Sequence, residues 1–143
     1  MNNLNFDTGY KEYSINGDES KVIRIDTTDF ALFDRAQKAS KNIDKLSENY
    51  RTAKVETDEQ ANELFVKADK DIREQINNIF GYDVSSVVFG ITNCISITKS
   101  GHMLFENFLN AIIPVIKNDM QEAVDKHNKR VKKYTSQVPK VTK

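Results

Sequence analysis

The tripeptide Asp7-Thr8-Gly9 has the sequence that carries the catalytic carboxylate of aspartic proteases. Those enzymes use two carboxylates that share one proton at close range. A chain with one such tripeptide supplies both carboxylates only by dimerising, and here the residues before it, NNLNF, lack the apolar strand that normally precedes it. We therefore interpret the tripeptide as a turn before a strand, in which the Asp7 side chain bonds its own backbone.

Three side chains could act as soft metal ligands or as a nucleophile and its base: Cys94, His102 and His127. A structural zinc site requires four ligands at short, recognisable spacings, and these three residues are scattered. A Cys94–His102 catalytic pair rests on residue types alone. We expect Cys94 to be a small buried residue, His102 to lie near a helix start and His127 to lie on a polar helix face. The sequence thus predicts no catalytic residue, no metal site and no cofactor.

Net charge and hydropathy together predict a protein that binds neither nucleic acid nor membrane. Lys plus Arg and Asp plus Glu each number 21, so the formal net charge is zero, whereas nucleic-acid-binding proteins usually carry a basic excess. The most apolar stretch, MLFENFLNAIIPVI, is polar in places and shorter than the roughly 20 residues that span a bilayer. The N-terminus shows no apolar signal region, and one cysteine fits a reducing compartment, so we expect a cytoplasmic protein.

The sequence predicts a β-hairpin over about residues 9–26. YKEYSI alternates along the strand, and KVIRI is rich in β-branched residues. Asn16-Gly17, between them, supplies the positive φ angles of a tight turn. Because an isolated hairpin is marginal in water, this one must pack on the rest of the chain.

Two long amphipathic helices are predicted next, over about residues 29–54 and 58–80. Apolar residues recur in both at helical intervals. Candidate N-caps of the first helix are Thr27, Thr28 and Asp29. Thr57 and Gln60 form a capping box at the start of the second, and Gly81 is placed to end it in the left-handed conformation.

Residues 82–101 allow two interpretations. Asp83 is placed to cap a helix of one or two turns that ends near Gly90, and ITNCISIT fits either a short strand or another helical turn. Both glycines of this region, Gly81 and Gly90, follow Phe, and neither belongs to a phosphate-binding motif. We interpret them as chain reversals.

A third long helix is predicted over about residues 102–130, with a kink or break at Pro114, which removes a helical hydrogen bond. Residues 131–143 are basic and lack a usable period, so we expect a flexible tail. The predicted organisation is one domain over residues 1–130. Its fold class is α+β, dominated by helix, with an N-terminal hairpin packed on a small bundle of three long helices.

The third helix carries more apolar residues than one stripe requires. The residues between 103 and 116 cover more than one side of a helix. Two interpretations stay open: a second buried face against another copy or a partner chain, or core packing beneath residues 81–101. On the first interpretation, the partner-binding residues are Phe105, Phe108, Leu109 and Ile112.

The order of these features resembles a family of small phage proteins. The shared parts are FDTG followed by KEYSING, and IFG followed nine residues later by FG, within a resemblance that covers about residues 5–117. The family comes from phages and prophages of Gram-positive bacteria, is encoded among siphophage tail genes near the tape-measure gene, and is described as tail assembly chaperone-like.

The resemblance implies a non-enzymatic role in tail assembly. A chaperone of this kind would cover apolar segments of the tape-measure protein, or of another tail protein, until tube subunits polymerise around them. The alternative is a structural virion component, such as a head–tail connector or a tail-completion protein, that forms a homo-oligomer through the same apolar face. The family supplies no active site to transfer to positions of this chain.

Overall fold

The hairpin and helices follow each other in the predicted order. The computed structural model describes residues 1–137 and confirms a helix-dominated α+β fold with an N-terminal antiparallel hairpin. Its elements are β1 (Tyr10–Ile15), β2 (Asp18–Asp26), α1 (Phe30–Thr52), α2 (Asp58–Phe80), α3 (Ser85–Phe89) and α4 (Leu104–Gln137).

The Asn16-Gly17 turn reverses the chain between the two strands. Asn16 has φ 51° and Gly17 has φ 79°, both in the left-handed region that a two-residue hairpin turn requires. The strands pair antiparallel from Tyr10 opposite Asp26 onward, with a bulge near the turn. Ile23 and Ile25 of β2 point into the core and are almost fully buried, so the hairpin packs through one face of β2.

Side-chain caps fix the starts of the two long helices. Asp29 accepts a hydrogen bond from the Ala31 backbone N–H at 2.9 Å, which selects it among the three candidate caps of α1. Thr57 Oγ1 accepts from the Gln60 N–H, and Gln60 Oε1 accepts from the Glu56 N–H. The predicted capping box at α2 is therefore confirmed, with the returning bond made one residue earlier in the chain.

The core lies between α1, α2 and α4, with the hairpin and α3 packed on it. The two longest apolar stripes, on α1 and α2, face each other. Burial of their aliphatic side chains is the main favourable contribution to folding. The buried members from these two helices are Leu32, Ala36, Ala39, Ile43, Ala68, Ile72, Ile76 and Ile79.

Residues 82–103 combine one short helix with an irregular segment. Asp83 accepts hydrogen bonds from the Ser86 backbone N–H and the Ser85 hydroxyl, so it caps α3 as predicted. Hydrogen bonds, first that of the Ser86 side chain, lower the pKa of Asp83 to about 2. The following stretch forms neither a regular strand nor a helix; it makes a single β-bridge between Ile97 and Met103.

Helix α4 differs from its prediction in two respects. It passes through Pro114 without a break, because Pro114 and Asn110 are both exposed, so solvent can satisfy the carbonyl that loses its donor. It also runs to Gln137, seven residues beyond the predicted end, since residues 131–137 contain neither Gly nor Pro. The predicted tail therefore begins in helix; its remainder, residues 138–143, lies outside the described residues.

One carboxylate joins the hairpin to α4. Asp119 Oδ2 accepts hydrogen bonds from the Tyr13 hydroxyl at 3.0 Å, from Lys11 Nζ at 3.2 Å and from the buried Thr27 hydroxyl. Burial alone would raise the pKa of Asp119, but the three donors outweigh it and hold the pKa below its ordinary value of 3.8. The charged carboxylate is therefore the form that stabilises the fold.

Replacing Asp119 with Asn should make stability less dependent on pH. The amide side chain keeps the size and an acceptor oxygen but loses the charge, so we expect a loss of about 1–2 kcal/mol in the free energy of unfolding at pH 7. A lowered folded-state pKa contributes stability above pH about 4 that is lost as the pH falls through that pKa. Urea unfolding from pH 7 to about pH 2.5 should therefore show the difference shrinking in acid. A constant difference would contradict this account, and Asp125→Asn, an exposed site on the same helix, is the control.

Candidate functional site

Of the four residues predicted to bind a partner, three are buried within their own chain and one, Phe108, is partly accessible. Phe105, Leu109 and Ile112 are 6%, 9% and 6% exposed and belong to the core. Phe108 is half-buried, with its ring 6.2 Å from that of Phe80 and 5.9 Å from that of Phe89. The structure therefore favours the core interpretation for Phe105, Leu109 and Ile112, because the hairpin, α3 and the segment before α4 cover much of the second apolar face of α4.

A shallow groove remains beside Phe108, between the hairpin and α4. This hairpin–α4 groove has a volume of about 270 Å³. Its apolar lining comes from β1, α3 and α4, in particular from Tyr13, Ile15, Val88, Leu104, Phe108 and Val115. Part of the predicted apolar excess therefore does reach a surface, but along the row of α4 next to β1.

A larger apolar groove lies between α1, α2 and the segment before α4. This α1–α2 groove has a volume of about 420 Å³. Its floor and walls are formed by Leu64, Phe65, Ala68, Ile72, Ile95 and Met103, and the C-terminal part of α1 adds Asp44, Glu48 and Arg51 at the rim. Phe65 is 50% exposed, so the groove presents an aromatic face to solvent.

A tyrosine holds the α1 side of this groove in place. The Tyr50 hydroxyl, near the end of α1, donates a 2.6 Å hydrogen bond to Asp71 Oδ2 on α2. Asp71 Oδ2 also accepts from Lys67 Nζ at 2.8 Å. Burial, and then the bond to Asp71, raises the pKa of Tyr50, which keeps the hydroxyl protonated as the donor. The end of α1 is thus fixed against α2.

Two charged side chains of α2 hold the third wall. Arg73 donates through Nη2 to the Gly90 carbonyl at 2.9 Å and to the Thr92 carbonyl at 2.7 Å, and through Nε to Asp69 Oδ1. Asp69 Oδ1 also accepts from the Cys94 N–H at 2.8 Å. This network positions the irregular segment, and hence Ile95, over the groove.

Cys94 is placed as a structural residue. It is fully buried, and its Sγ lies 3.7 Å from the Asp69 carbonyl oxygen. Burial, followed by the bond to Asp69, raises the pKa of the Cys94 thiol to about 12, so the nucleophilic thiolate is not formed near neutral pH. His102, the residue considered as its base, lies instead beside Glu106, with Nδ1 3.7 Å from Oε2.

Within residues 1–137, no group of three or more His, Cys, Asp or Glu side chains is arranged to hold a metal ion. In the same part of the chain, no helix combines the length and the apolar character needed to cross a bilayer.

The Asp7-Thr8-Gly9 tripeptide belongs to an exposed arm that leads into β1. Asp7 is exposed. A Cβ at Gly9 would lie 2.1 Å from Thr28 Oγ1 and 2.5 Å from Asp26 Oδ1. Asp26 Oδ1 accepts from both the N–H and the hydroxyl of Thr28, forming the turn before α1. The glycine is therefore required by close packing against this turn.

The sequence displays the residues of the α1–α2 groove but not their role. Leu64, Phe65 and Ala68 belong to the apolar stripe of α2, and two consecutive large residues in such a stripe widen it beyond one face. The width of this stripe was the only sign in the sequence that part of it could face a ligand. Ile95 and Met103 could not be placed, because Arg73 and Asp69 fix their segment from a distance along the chain.

No protein-family model, curated protein or solved structure matches this chain.

Replacing Gly9 with Ala should destabilise the protein, whereas replacing Asp7 with Ala should not. The added Cβ must displace Thr28 or Asp26 from their turn, which should cost about 1–3 kcal/mol of unfolding free energy. Asp7→Ala, at an exposed position, should change it by about 0.5 kcal/mol or less. Urea unfolding of both variants tests the difference. Acid peptide hydrolysis that is lost in Asp7→Ala would contradict the packing interpretation.

Proposed function

We propose that the protein is a non-catalytic assembly chaperone of phage tails, which binds apolar helical segments of the tape-measure protein in the α1–α2 groove. It would act in the cytoplasm of the bacterial host. The observation that supports this most is the groove itself, whose lining is apolar and whose aromatic side chain, Phe65, is half exposed. The resemblance to tail assembly chaperone-like proteins supplies the class of partner.

The lining of the groove suits the apolar face of an amphipathic helix. Met103 adds a flexible, polarisable side chain that adapts to different apolar shapes. Asp44, Glu48 and Arg51 place both signs of charge at the rim, where the polar flanks of a bound helix would lie. A tape-measure protein offers many similar apolar segments. A groove that binds apolar helices of similar shape therefore suits it better than a groove specific for one peptide sequence.

The size of the groove favours reversible binding. Burying each large apolar side chain is worth about 1.5–3 kcal/mol, and association costs several kcal/mol in lost motional freedom. Two or three ligand side chains in the groove would therefore bind only weakly. Weak binding is what a chaperone needs, because the tube subunits must displace it.

The alternative function, a structural virion component, is supported by the hairpin–α4 groove. A second apolar surface, beside Phe108 and separate from the α1–α2 groove, gives the chain a means of associating into a lasting assembly. Mass spectrometry of purified virions separates the two functions, because a chaperone is absent from the finished particle and a connector remains in it.

Replacing Phe65 with Gln should weaken binding of the tape-measure protein, whereas replacing Val66 with Gln should not. Phe65 lines the groove, and the neighbouring Val66, 69% exposed, lies on another side of the same helix. Both changes remove an exposed apolar side chain, so they form a matched pair. Each variant is co-expressed with the tape-measure protein of the same phage, and the soluble complex is quantified after affinity purification.

We expect Phe65→Gln to reduce the recovered complex at least about tenfold, which corresponds to about 1.4 kcal/mol of binding free energy, with a circular dichroism spectrum like that of the wild type. Equal recovery with both variants would contradict the assignment of binding to this groove.

A further inference from the structure

The outer edge of β1 is open. The Arg24 N–H and carbonyl both bond the Tyr82 hydroxyl, at 2.8 and 2.9 Å, so they point away from β1. In an antiparallel pair, opposite residues share their orientation, so the backbone groups of Glu12, which faces Arg24, point away from β2. β1 has β2 as its only strand neighbour within residues 1–137.

The two edges of the hairpin thus differ in whether their outward backbone groups have hydrogen-bond partners. On the edge of β2, the Tyr82 hydroxyl satisfies both backbone groups of Arg24, as donor to its carbonyl and acceptor from its N–H. The edge of β1 offers free N–H and carbonyl groups at alternate residues, and such an edge is a template for another strand. Beside it lies the hairpin–α4 groove, to which Tyr13 and Ile15 of β1 contribute.

The N-terminal arm, residues 1–8, has the alternating apolar and polar side chains of a β-strand but belongs to no sheet. Leu4 and Phe6 are 86% and 80% exposed, and residues two apart point the same way in an extended chain. Asn3 and Asn5, on the alternate positions, bond each other side chain to side chain at 3.2 Å. The arm therefore has one apolar and one polar side, and neither apolar side chain is covered by the chain's described residues.

The arm is long enough to pair with the whole open edge. Six arm residues extend about 20 Å at roughly 3.3 Å per residue, and β1 also has six residues. A strand added beside β1 would place alternate side chains towards the hairpin–α4 groove, where Leu104, Phe108 and Val115 lie. Leu4 and Phe6 have the spacing to enter it.

We propose that a second copy of the chain adds its N-terminal arm to the outer edge of β1, with Leu4 and Phe6 in the hairpin–α4 groove, so that two chains exchange arms in a dimer. The chain's own arm begins on the β2 side of the hairpin, away from the outer edge of β1, because Gly9 packs against Asp26 and Thr28 at the end of β2. Mutual exchange satisfies both open edges by one two-fold operation. This dimer uses a different groove from the proposed tape-measure site and does not depend on that function.

Light scattering of the full chain tests the exchange. We expect a mass twice the 16.4 kDa of one chain. The double variant Leu4→Ser/Phe6→Ser should raise the dimer dissociation constant at least about tenfold, while Asn3→Ser/Asn5→Ser, on the polar side of the arm, should leave it within about twofold. A monomeric wild type, or a dimer equally affected by both variants, would overturn the proposal.

A backbone variant tests the β1 edge independently. Proline is tolerated on an edge strand where the N–H faces outward, so Glu12→Pro should keep the helical circular dichroism spectrum but dissociate the dimer. A folded Glu12→Pro protein that remains fully dimeric would show that the arm does not pair with this edge. Glu12→Ala, which keeps the N–H, is the control and should dimerise like the wild type.

Cross-linking distinguishes a second copy from the chain's own arm. Leu4→Cys in one chain and Ala111→Cys in another, each in a Cys94→Ala background, are mixed and oxidised. Covalent heterodimers are expected from exchanged arms. If the two cysteines instead react only when placed in the same chain, giving a cross-linked monomer, the arm folds back on its own β1 and the proposal is wrong.

Discussion

The interaction on which the rest of the structure depends is the contact of Arg73 with the chain after α3. One guanidinium binds the carbonyls of Gly90 and Thr92 and pairs with Asp69, and it lies 5.5 Å from the centre of the Phe89 ring. The bonded segment has almost no regular structure of its own. Two further bonds hold it on α2: the Cys94 N–H donates to Asp69, and the Asn93 side chain donates to the Phe65 carbonyl. Held by these bonds, the segment covers the start of α4 and forms a wall of the α1–α2 groove.

Contacts between elements far apart in the chain also explain why the apolar excess of α4 does not form one exposed face. The segment before α4 covers Phe105, α3 and the end of α2 contact Phe108, and the hairpin is drawn onto α4 by Asp119. Part of what stays accessible lines two grooves with different walls, with Met103 in one and Leu104, Phe108 and Val115 in the other. We propose one for an apolar helix of a tail protein and the other for an arm of a second copy, so each can be altered without the other.

Local chemistry was enough to predict most of the fold. The Asn16-Gly17 turn, the Thr57 cap and the Gly81 terminus each depend on residues close together in the chain, so the sequence displays them directly. The site could not be predicted in this way. The bonds that shape it join Tyr50 to Asp71, Arg73 to Gly90 and Asp69 to Cys94, residues separated by 21, 17 and 25 positions. No periodicity in the sequence shows such pairs, so the sequence alone could not show that Phe105, Leu109 and Ile112 are buried while Phe108 stays half-buried beside the hairpin–α4 groove.

Hydrogen–deuterium exchange on the full chain, with and without the partner we propose, a tape-measure protein, tests the central claim most directly. Once the partner is bound, we expect slower exchange at the end of α1, in the Leu64–Ile72 part of α2 and in the segment around Ile95. The hairpin should exchange at the same rate in both samples. Protection confined to the hairpin and α4, or no protection anywhere despite complex formation, would contradict the claim that the α1–α2 groove is the binding site.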